Sequence, residues 1–275
     1  MTRTQSQKII QIWQPVGYST YQITIRAAQK FGVKTAHTGV LDPLAEGVIL
    51  VLLDDERLKK EEYSKWKKEY EFEMAFGIAT DSYDGMGLVE GLDFSKRVEE
   101  KVLARFLSSL KGKYTQEVPL YSAVKVKGKK LFFYPKEGLP TPKLPKKTGE
   151  IYKIEFLSLK EEKLEKLIEK TISNVQTIKG GEFRQDQIVS GWENFLSLQK
   201  MPQKIQIAKI RVKTSSGIYI RSLSQDIAIK LNSKAFITRL ARTKNGKYAK
   251  KDCKTIKKVF GSSVNNNDFV SRFMS

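Results

Sequence analysis

A single carboxylate in a glycine- and proline-rich loop is the group in this sequence best suited to chemistry. Asp42 lies between Gly39 and Pro43, in a turn-rich stretch (HTGVLDPLAEG) that leads into the apolar run Val48–Leu53. Glycine permits positive φ and proline fixes φ without donating a hydrogen bond, so a stiff loop is predicted. A carboxylate held there against a buried strand is suited to act as a nucleophile or base, although the same residues also fit a plain turn.

Apolar patterns predict the elements that position this loop. Short alternating or branched-aliphatic runs predict strands, and apolar residues three or four apart predict helices. The predicted strands are Ile9–Trp13, Val48–Leu53, Tyr70–Phe76, Ile151–Leu157 and Ile205–Val212. The predicted helices are Tyr21–Phe31, Arg57–Lys68, Val98–Leu110 and Lys160–Ile178, the last ended by Gly180-Gly181 and followed by a second helical stripe from Ile188 to Leu196.

The charge of the chain favours a polyanionic partner. Its 50 Lys and Arg against 30 Asp and Glu give a formal net charge of +20 and a pI near 9.8. Such an excess attracts nucleic acid, and binding then gains free energy by releasing condensed counterions. A solvated basic surface is the alternative. At 40% hydrophobic and 29% charged residues, the chain is expected to be a soluble globular protein.

The residues and motifs that several classes of protein require are missing from this sequence. Cys253 is the sole cysteine and His37 the sole histidine, which argues against an intramolecular disulfide and a zinc cluster. Walker A, G-x-G-x-x-G and G-x-S-x-G motifs are absent, so we expect no metal and no cofactor. The segment Met1–Lys8 lacks a signal core, and no apolar run approaches the roughly 18 residues that span a bilayer. A cytoplasmic protein without membrane contact is therefore expected.

A lysine-rich segment, residues 121–147, is a candidate nucleic-acid clamp. It contains eight lysines, one acid (Glu137) and four of the eight prolines, with aromatic residues at positions 121, 132, 133 and 134. Lysines bind phosphates and rings stack on bases, so the segment fits an RNA clamp as well as a solvated loop. The lysines singled out as RNA-binding candidates are Lys125, Lys127, Lys129 and Lys130.

Several stretches resemble, in family order, the motifs of the bacterial tRNA pseudouridine-55 synthases of the TruB type. They are His37–Val48, Thr80–Gly85, Gln116–Leu131, Lys213–Leu223 and Phe236–Thr243. The resemblance implies an α+β pseudouridine synthase fold, with a mixed, mainly antiparallel sheet flanked by helices. It also implies conversion of uridine 55 in the T-loop of tRNA to pseudouridine, by base flipping and without a cofactor. We expect a monomer without an obligate protein partner, because no coiled-coil or apolar surface run is evident.

The resemblance gives the catalytic role to Asp42, with Arg221 as its partner. Burial disfavours an ionised carboxylate, whereas an adjacent guanidinium favours it. Asp84 would hold Arg221 in turn, as a second carboxylate behind the first. Its alternative role is that of a polar residue in a turn.

Four further residues are expected around the target base. The resemblance implies that Tyr70 stacks on the extruded uracil and that His37 fills the space it leaves. Tyr219 and Leu240 would line the pocket, with Tyr219 also a candidate proton donor. A core-packing role for Tyr70 and a general-base role for His37 are the alternatives.

The sequence also departs from the family pattern. Gln14 stands where a lysine is usual, Thr214 replaces a cysteine, Ile218 a threonine and Ala241 an arginine. We expect a catalytic domain over residues 1–258, with a thumb-like insertion at about 121–147. A helical hairpin at about 160–200 replaces a short connection. A flexible tail at 259–275 and no C-terminal PUA domain are expected to follow.

Two other functions remain open at this point. The first is an RNA-binding or tRNA-folding chaperone without catalysis, against which the intact Asp42, Tyr70 and Arg221 argue. The second is the catalytic subunit of a guide-RNA pseudouridylation particle, against which the expected lack of a PUA domain and of long basic tails argues.

Overall fold

A computed structural model of the chain describes residues 8–178, 183–198 and 201–261. Thirteen strands lie in these ranges and are numbered in chain order. They are β1 (Ile9–Gln14), β2 (Thr35–His37), β3 (Ala45–Leu53), β4 (Lys68–Phe76), β5 (Ile78–Thr80), β6 (Val89–Leu92), β7 (Gly112–Glu117), β8 (Lys125–Val126), β9 (Lys129–Lys130), β10 (Lys146–Lys163), β11 (Lys204–Thr214), β12 (Ala235–Asn245) and β13 (Tyr248–Ala249).

Eight α-helices and two short 3₁₀ turns, Asp54–Lys59 and Lys250–Asp252, lie in the same ranges. The helices are α1 (Thr20–Phe31), α2 (Lys60–Ser64), α3 (Glu100–Ser109), α4 (Phe133–Lys136), α5 (Leu164–Thr177), α6 (Gln185–Leu196), α7 (Ile220–Lys230) and α8 (Ile256–Phe260). In the part of the chain that the structure describes, none of them meets the length and hydropathy that a bilayer-spanning segment requires.

The centre of the fold is a mixed sheet of nine of these strands. Seven lie in the order β1-β3-β12-β4-β11-β10-β7, while β2 pairs with β3 and β13 with β12. The neighbouring strands are antiparallel, except that β12 runs parallel to β3. This arrangement is the α+β fold with a mainly antiparallel sheet that the sequence predicts.

The two faces of the sheet are buried by different helices. Successive strand residues point to opposite faces, so Met74 and Ile237 belong to the main core with α1, α3 and α7. Their neighbours Ala75 and Phe236 face the other way, into a second core with α5 and α6. The remainder of this second face carries ion pairs such as Arg211–Glu71 and Arg239–Glu46. The α5–α6 hairpin therefore covers one end of a charged sheet face.

All five predicted strands are confirmed, with shifted boundaries. Of the four helices predicted with both ends, three are confirmed, as α1, α3 and α5. The helix predicted over Arg57–Lys68 is wrong. That segment is a 3₁₀ turn followed by the five-residue α2, and β4 already begins at Lys68. Lys68 is buried, its Nζ donates to the Trp66 carbonyl at 2.8 Å, and its backbone pairs with the strands on both sides of β4. The helix predicted from Lys160 begins at Leu164, because β10 stays paired with β11 as far as Lys163.

Two predictions concern residues at the margins of the described ranges. Gly180 and Gly181, predicted to end the first helix of the hairpin, lie outside the described residues. The predicted boundary at 258 falls inside α8, in which Val259 is buried against the main core. The expected tail lies outside the described residues from 262 onward.

Gly47 allows the loop that carries Asp42 to enter the centre of the sheet. Its φ is +138°, and a Cβ there would lie 2.4 Å from the backbone oxygen of Arg242 on β12. We expect Gly47→Ala to lower the free energy of unfolding by about 3 kcal/mol, since neither backbone can move without breaking the sheet. Urea denaturation measures the loss.

Gly112→Ala is the matched control for that substitution. Gly112 also has positive φ, at +111°, but a Cβ there would meet nothing within 4 Å. Backbone strain alone is expected to lower the free energy of unfolding by about 1 kcal/mol. Equal losses at the two positions would contradict the close approach of β3 and β12.

Candidate active site

Hydrogen bonds from three directions hold the Asp42 loop, which joins β2 to β3. The N–H of Ala45 donates to the Asp42 carbonyl at 2.9 Å, and that of Gly17 donates to the Pro43 carbonyl at 3.1 Å. The N–H of Leu41 donates to the Thr20 Oγ1 at 3.2 Å. The backbone on both sides of Asp42 is thus fixed to the first strand–helix turn, which positions its carboxylate accurately.

Gln14, where the family usually has lysine, supports this loop without a charge. Its side chain is fully buried, and its Oε1 accepts from the Thr20 Oγ1 at 2.6 Å. Its Nε2 donates to the Tyr18 carbonyl at 2.7 Å. Both ends of the amide are therefore used, and the bond to Thr20 continues to Leu41, next to Asp42.

The structure brings Asp42 and Arg221 together in a bidentate ion pair. Arg221 Nε donates to Asp42 Oδ2 and Arg221 Nη2 to Asp42 Oδ1, both at 2.9 Å. The Arg221 side chain is 5% exposed, whereas that of Asp42 is 35% exposed. Burial opposes the charge on Arg221, yet Asp42 and Asp84 raise its pKa above the usual value. The pair therefore presents an ionised carboxylate to solvent from a buried, permanently charged support.

Backbone carbonyls, rather than Asp84, complete the hydrogen bonding of Arg221. Its Nη1 donates to the Ser82 carbonyl and its Nη2 to the Tyr121 carbonyl, both at 3.0 Å. The nearest Asp84 oxygen lies 3.7 Å from Arg221 Nε, which is an ion-pair distance rather than a hydrogen bond. Burial raises the pKa of Asp84, and Arg221 opposes that rise. Asp84 thus acts on Arg221 through charge.

Asp84 is itself fixed within its own turn. Its Oδ1 accepts from the Ser82 Oγ at 2.6 Å and from the Met86 N–H at 2.9 Å. The turn role and the contact with Arg221 therefore coexist, as the sequence allows.

Tyr70 and Tyr219 lie near enough to Asp42 for its charge to raise the pKa of their hydroxyls. Burial raises the pKa of Tyr70, Arg242 opposes the rise, and the Asp42 carboxylate adds to it. Burial likewise raises the pKa of Tyr219, with a further rise from Asp42 and opposition from Arg221. Leu240 is buried in the same core as Leu41, and Tyr70 packs against that core. Two neutral phenols therefore lie within electrostatic reach of the carboxylate.

Arg242 is a residue near this site that the sequence analysis did not single out. It is buried in β12, where its Nε donates to the Val48 carbonyl at 2.8 Å and its Nη2 to the Gly39 carbonyl at 3.2 Å. Its positive charge also lowers the pKa of Tyr70, against the rise that burial causes. Its position two residues after Leu240, on the same strand face, is the sequence signal that points to it.

His37 lies at the end of β2 as a neutral side chain. Its Nδ1 accepts from the Gly39 N–H at 3.4 Å, which leaves the proton on Nε2. Burial, with the nearby Lys60 and Arg242, lowers the pKa of His37 to about 4. A neutral imidazole suits contact with a base better than contact with a phosphate.

We expect the His37 ring to titrate near pH 4 in the folded chain. Because this pKa is depressed, the unfolded chain takes up the proton first, and stability falls as the pH drops from about 6.5 towards 4. His37 is the sole histidine, so its ring protons can be followed by NMR without assignment. The urea-unfolded chain, titrating near 6.5, is the control, and a folded value near 6.5 would contradict the burial.

The four candidate lysines lie on the small hairpin formed by β8 and β9. Lys125 and Lys130 are paired across β8 and β9, with Lys127 in the turn and Lys129 in an ion pair with Glu137. The segment has a core of its own, Val118, Leu131 and Tyr134, against which Tyr219 packs. A folded, basic projection therefore stands next to a site residue.

Comparisons with known proteins identify the family of this chain. The α+β fold carries an ion pair between Asp42, in the loop after β2, and Arg221, in the first turn of α7. A profile described as "TruB family pseudouridylate synthase (N terminal domain)" matches residues 26–176. The chain belongs to the TruB family of pseudouridylate synthases. It is 30% identical to tRNA pseudouridine synthase B of Caldicellulosiruptor saccharolyticus over 86% of this chain and 67% of the relative. The relative of the same name from Mesoplasma florum is 30% identical over 93% of this chain and 74% of its own length.

Solved structures share the fold at low sequence identity. One is the crystal structure of a Cbf5-Nop10-Gar1 complex, which matches with a TM-score of 0.58 and 18% identity. The match covers 95% of this chain, and this chain spans 58% of the length of the matched one. At this identity the likeness establishes the architecture alone.

Proposed function

We propose that this protein converts a uridine in the T-loop of tRNA, at position 55, to pseudouridine. The observation that carries the proposal is the partly exposed Asp42 carboxylate, held in two hydrogen bonds by the buried Arg221. The family and the names of the relatives support the reaction class.

The reaction requires no change in atomic composition. The bond between N1 of uracil and C1′ of ribose breaks, the ring turns, and a bond forms between C5 and C1′. The proton on C5 is lost and N1 gains one. Asp42, kept ionised by Arg221 before the reaction, would attack C1′ to form an ester or remove a proton from C2′ to become a carboxylic acid. When the C5–C1′ bond forms, the ester bond to C1′ would break or the proton would return to C2′, and Asp42 would be a carboxylate again. Tyr219 would hold or deliver a proton at the loosened base.

The target base must leave its stack inside the folded T-loop, at a cost of a few kcal/mol. Tyr70 would stack on the extruded ring, Leu240 would pack against it, and the neutral His37 would take its place in the loop. The segment 121–147, with Lys125, Lys127, Lys129 and Lys130, would bind the phosphates of the T-arm.

A T-arm hairpin tritiated at C5 of the target uridine tests the proposal. The new carbon–carbon bond displaces that tritium into water, so wild-type protein alone is expected to release it and Asp42→Asn is not. Binding without release by the wild type would favour the chaperone function. Release that depends on added guide RNA would favour the guide-RNA particle.

We further propose that the protein acts as a cytoplasmic monomer, without a cofactor or an obligate protein partner. Light scattering coupled to size exclusion tests the monomer, and a stable dimer would contradict it. The domain limits and the expected lack of a PUA domain stay predictions.

A further inference from the structure

The α5–α6 hairpin packs directly behind the turn that helps to hold Arg221. Trp192 of α6 donates its Nε1 hydrogen to the Gly85 carbonyl at 3.2 Å. Gly85 also lies against α5, since a Cβ there would be 2.8 Å from Thr171 Cγ2. Met86, in the same turn, is buried in the core that the hairpin forms with the sheet. The hairpin therefore fixes the position of this turn from behind.

Arg184, immediately before α6, connects the hairpin to two residues beside the site. Its Nη2 donates to Asp81 Oδ2 at 2.9 Å, and its guanidinium lies over the Tyr121 ring, 4.7 Å from the centroid. The Tyr121 hydroxyl donates to the same Asp81 oxygen at 2.8 Å. The side chains of Arg184 and Asp81 are 26% and 14% exposed. We call Arg184, Asp81 and Tyr121 the triad.

The triad joins the two backbone segments that accept hydrogen bonds from Arg221. Asp81 precedes Ser82, whose carbonyl accepts from Arg221 Nη1, and Tyr121 supplies the carbonyl that accepts from Nη2. Arg184 thus binds both segments from outside. We propose that the hairpin is a positioning element for the active site and that Arg184 is its positioning residue. It would fix the orientation of the Arg221 guanidinium and, through it, of the Asp42 carboxylate.

The negative charges around the triad also require Arg184, because its guanidinium offsets two neighbouring carboxylates, Asp81 and Glu90. Burial raises the pKa of Glu90, the neighbouring Asp81 adds to that rise, and Lys234 and Arg184 oppose it. Removing Arg184 would leave Asp81 facing a second carboxylate with less compensation. Asp81 would then be driven away from its place beside Tyr121.

This inference rests on the proposed function, and Arg184→Ala tests it. Displacing a catalytic group by a fraction of an ångström is expected to lower kcat for tritium release about tenfold, with KM for the T-arm hairpin within about twofold of the wild-type value. Arg184→Lys keeps the charge but not the planar group that stacks on the Tyr121 ring, and it is expected to lower kcat about threefold. Arg97→Ala is the matched control, because Arg97 pairs with Glu161 on an exposed surface. It is expected to retain wild-type kinetics.

A second readout follows the Arg221 guanidinium itself. In the wild type its Nε hydrogen is bonded to Asp42 Oδ2, and the arginine side chain is only 5% exposed, so this hydrogen is expected to exchange slowly with water in NMR spectra. Arg184→Ala is expected to accelerate that exchange at least about threefold, whereas Arg97→Ala is not. This measurement needs no turnover. If wild-type protein releases no tritium, the proposed function fails while the positioning role is still tested.

Three results would overturn the positioning role. A higher KM with unchanged kcat would make Arg184 a direct RNA contact. A lower melting temperature with unchanged kcat and exchange would make it a purely structural residue. Unchanged behaviour throughout would leave the triad without a role. Should Arg184→Ala fail to fold, Arg184→Lys and its Arg221 exchange rate give the same comparison.

Discussion

Asp42→Asn is expected to lower kcat for tritium release by about 10⁴-fold, with KM for the T-arm hairpin within about twofold of the wild-type value. The amide keeps the shape of the carboxylate but carries no charge, so it is a poor nucleophile and a poor base at ribose. It also turns an NH₂ donor towards Arg221, which accepts no hydrogen bonds. Single-turnover release with excess enzyme measures the chemical step.

Asp55→Asn is the matched control for Asp42→Asn. The substitution removes the same charge thirteen positions along the chain, at a fully exposed side chain that pairs with Arg57 only at 3.9 Å. We expect wild-type release from it. If Asp42→Asn retained a tenth of the wild-type rate, the carboxylate would not be the reacting group and the mechanism above would be wrong.

The sequence could predict which side chains meet, but not what holds them. Asp42 and Arg221 lie far apart in the chain, and composition or periodicity alone gives no reason to join them. The family motifs supplied that pairing. The carbonyls of Ser82 and Tyr121, which complete the Arg221 site, leave no trace in residue type, because any residue supplies a carbonyl.

Helices and strands could be predicted wherever apolar residues recur at the regular spacing of one of these elements. β4 alternates apolar and charged residues from Tyr70 to Met74, and β11 alternates except between Ile207 and Ile210; both were found close to their predicted bounds. The segment Arg57–Lys68 is too charged to show a period, so helix propensity governed the prediction there. In the structure, the buried Lys68 belongs to β4 and pairs with Thr214 and Asn245 of the sheet, so tertiary pairing overrides the helix propensity there.

The hairpin shows a third limit of sequence reasoning. Its stripes of apolar residues predicted two helices with an inward face, and both were found. An apolar helix face does not show which surface of the protein the helix packs against. That the hairpin would cover Ala75 and Phe236, and bring Arg184 to Asp81, depends on the register of the sheet beneath it.

Arg221→Met is expected to lower the free energy of unfolding by about 3–5 kcal/mol as well as abolish activity. The substitution leaves Asp42 and the buried Asp84 without their shared positive charge. Arg221→Lys keeps a charge but cannot make the two-pronged contact with Asp42, so we expect it to fold and to lose about 10²–10³-fold in kcat. Urea denaturation and tritium release measure the two effects separately.

The pH dependence of Arg221→Met identifies the cause of its instability. Burial raises the pKa of Asp84 and Arg221 opposes that rise, so losing Arg221 raises it further. A carboxyl whose pKa is higher in the folded state binds protons more tightly there, and stability is recovered as the pH falls through that value. Arg221→Met should therefore approach wild-type stability in mild acid, and adding Asp84→Asn should restore part of the loss at neutral pH. If Asp84→Asn restored nothing, the instability would come from lost packing of the arginine side chain rather than from an unpaired buried carboxylate.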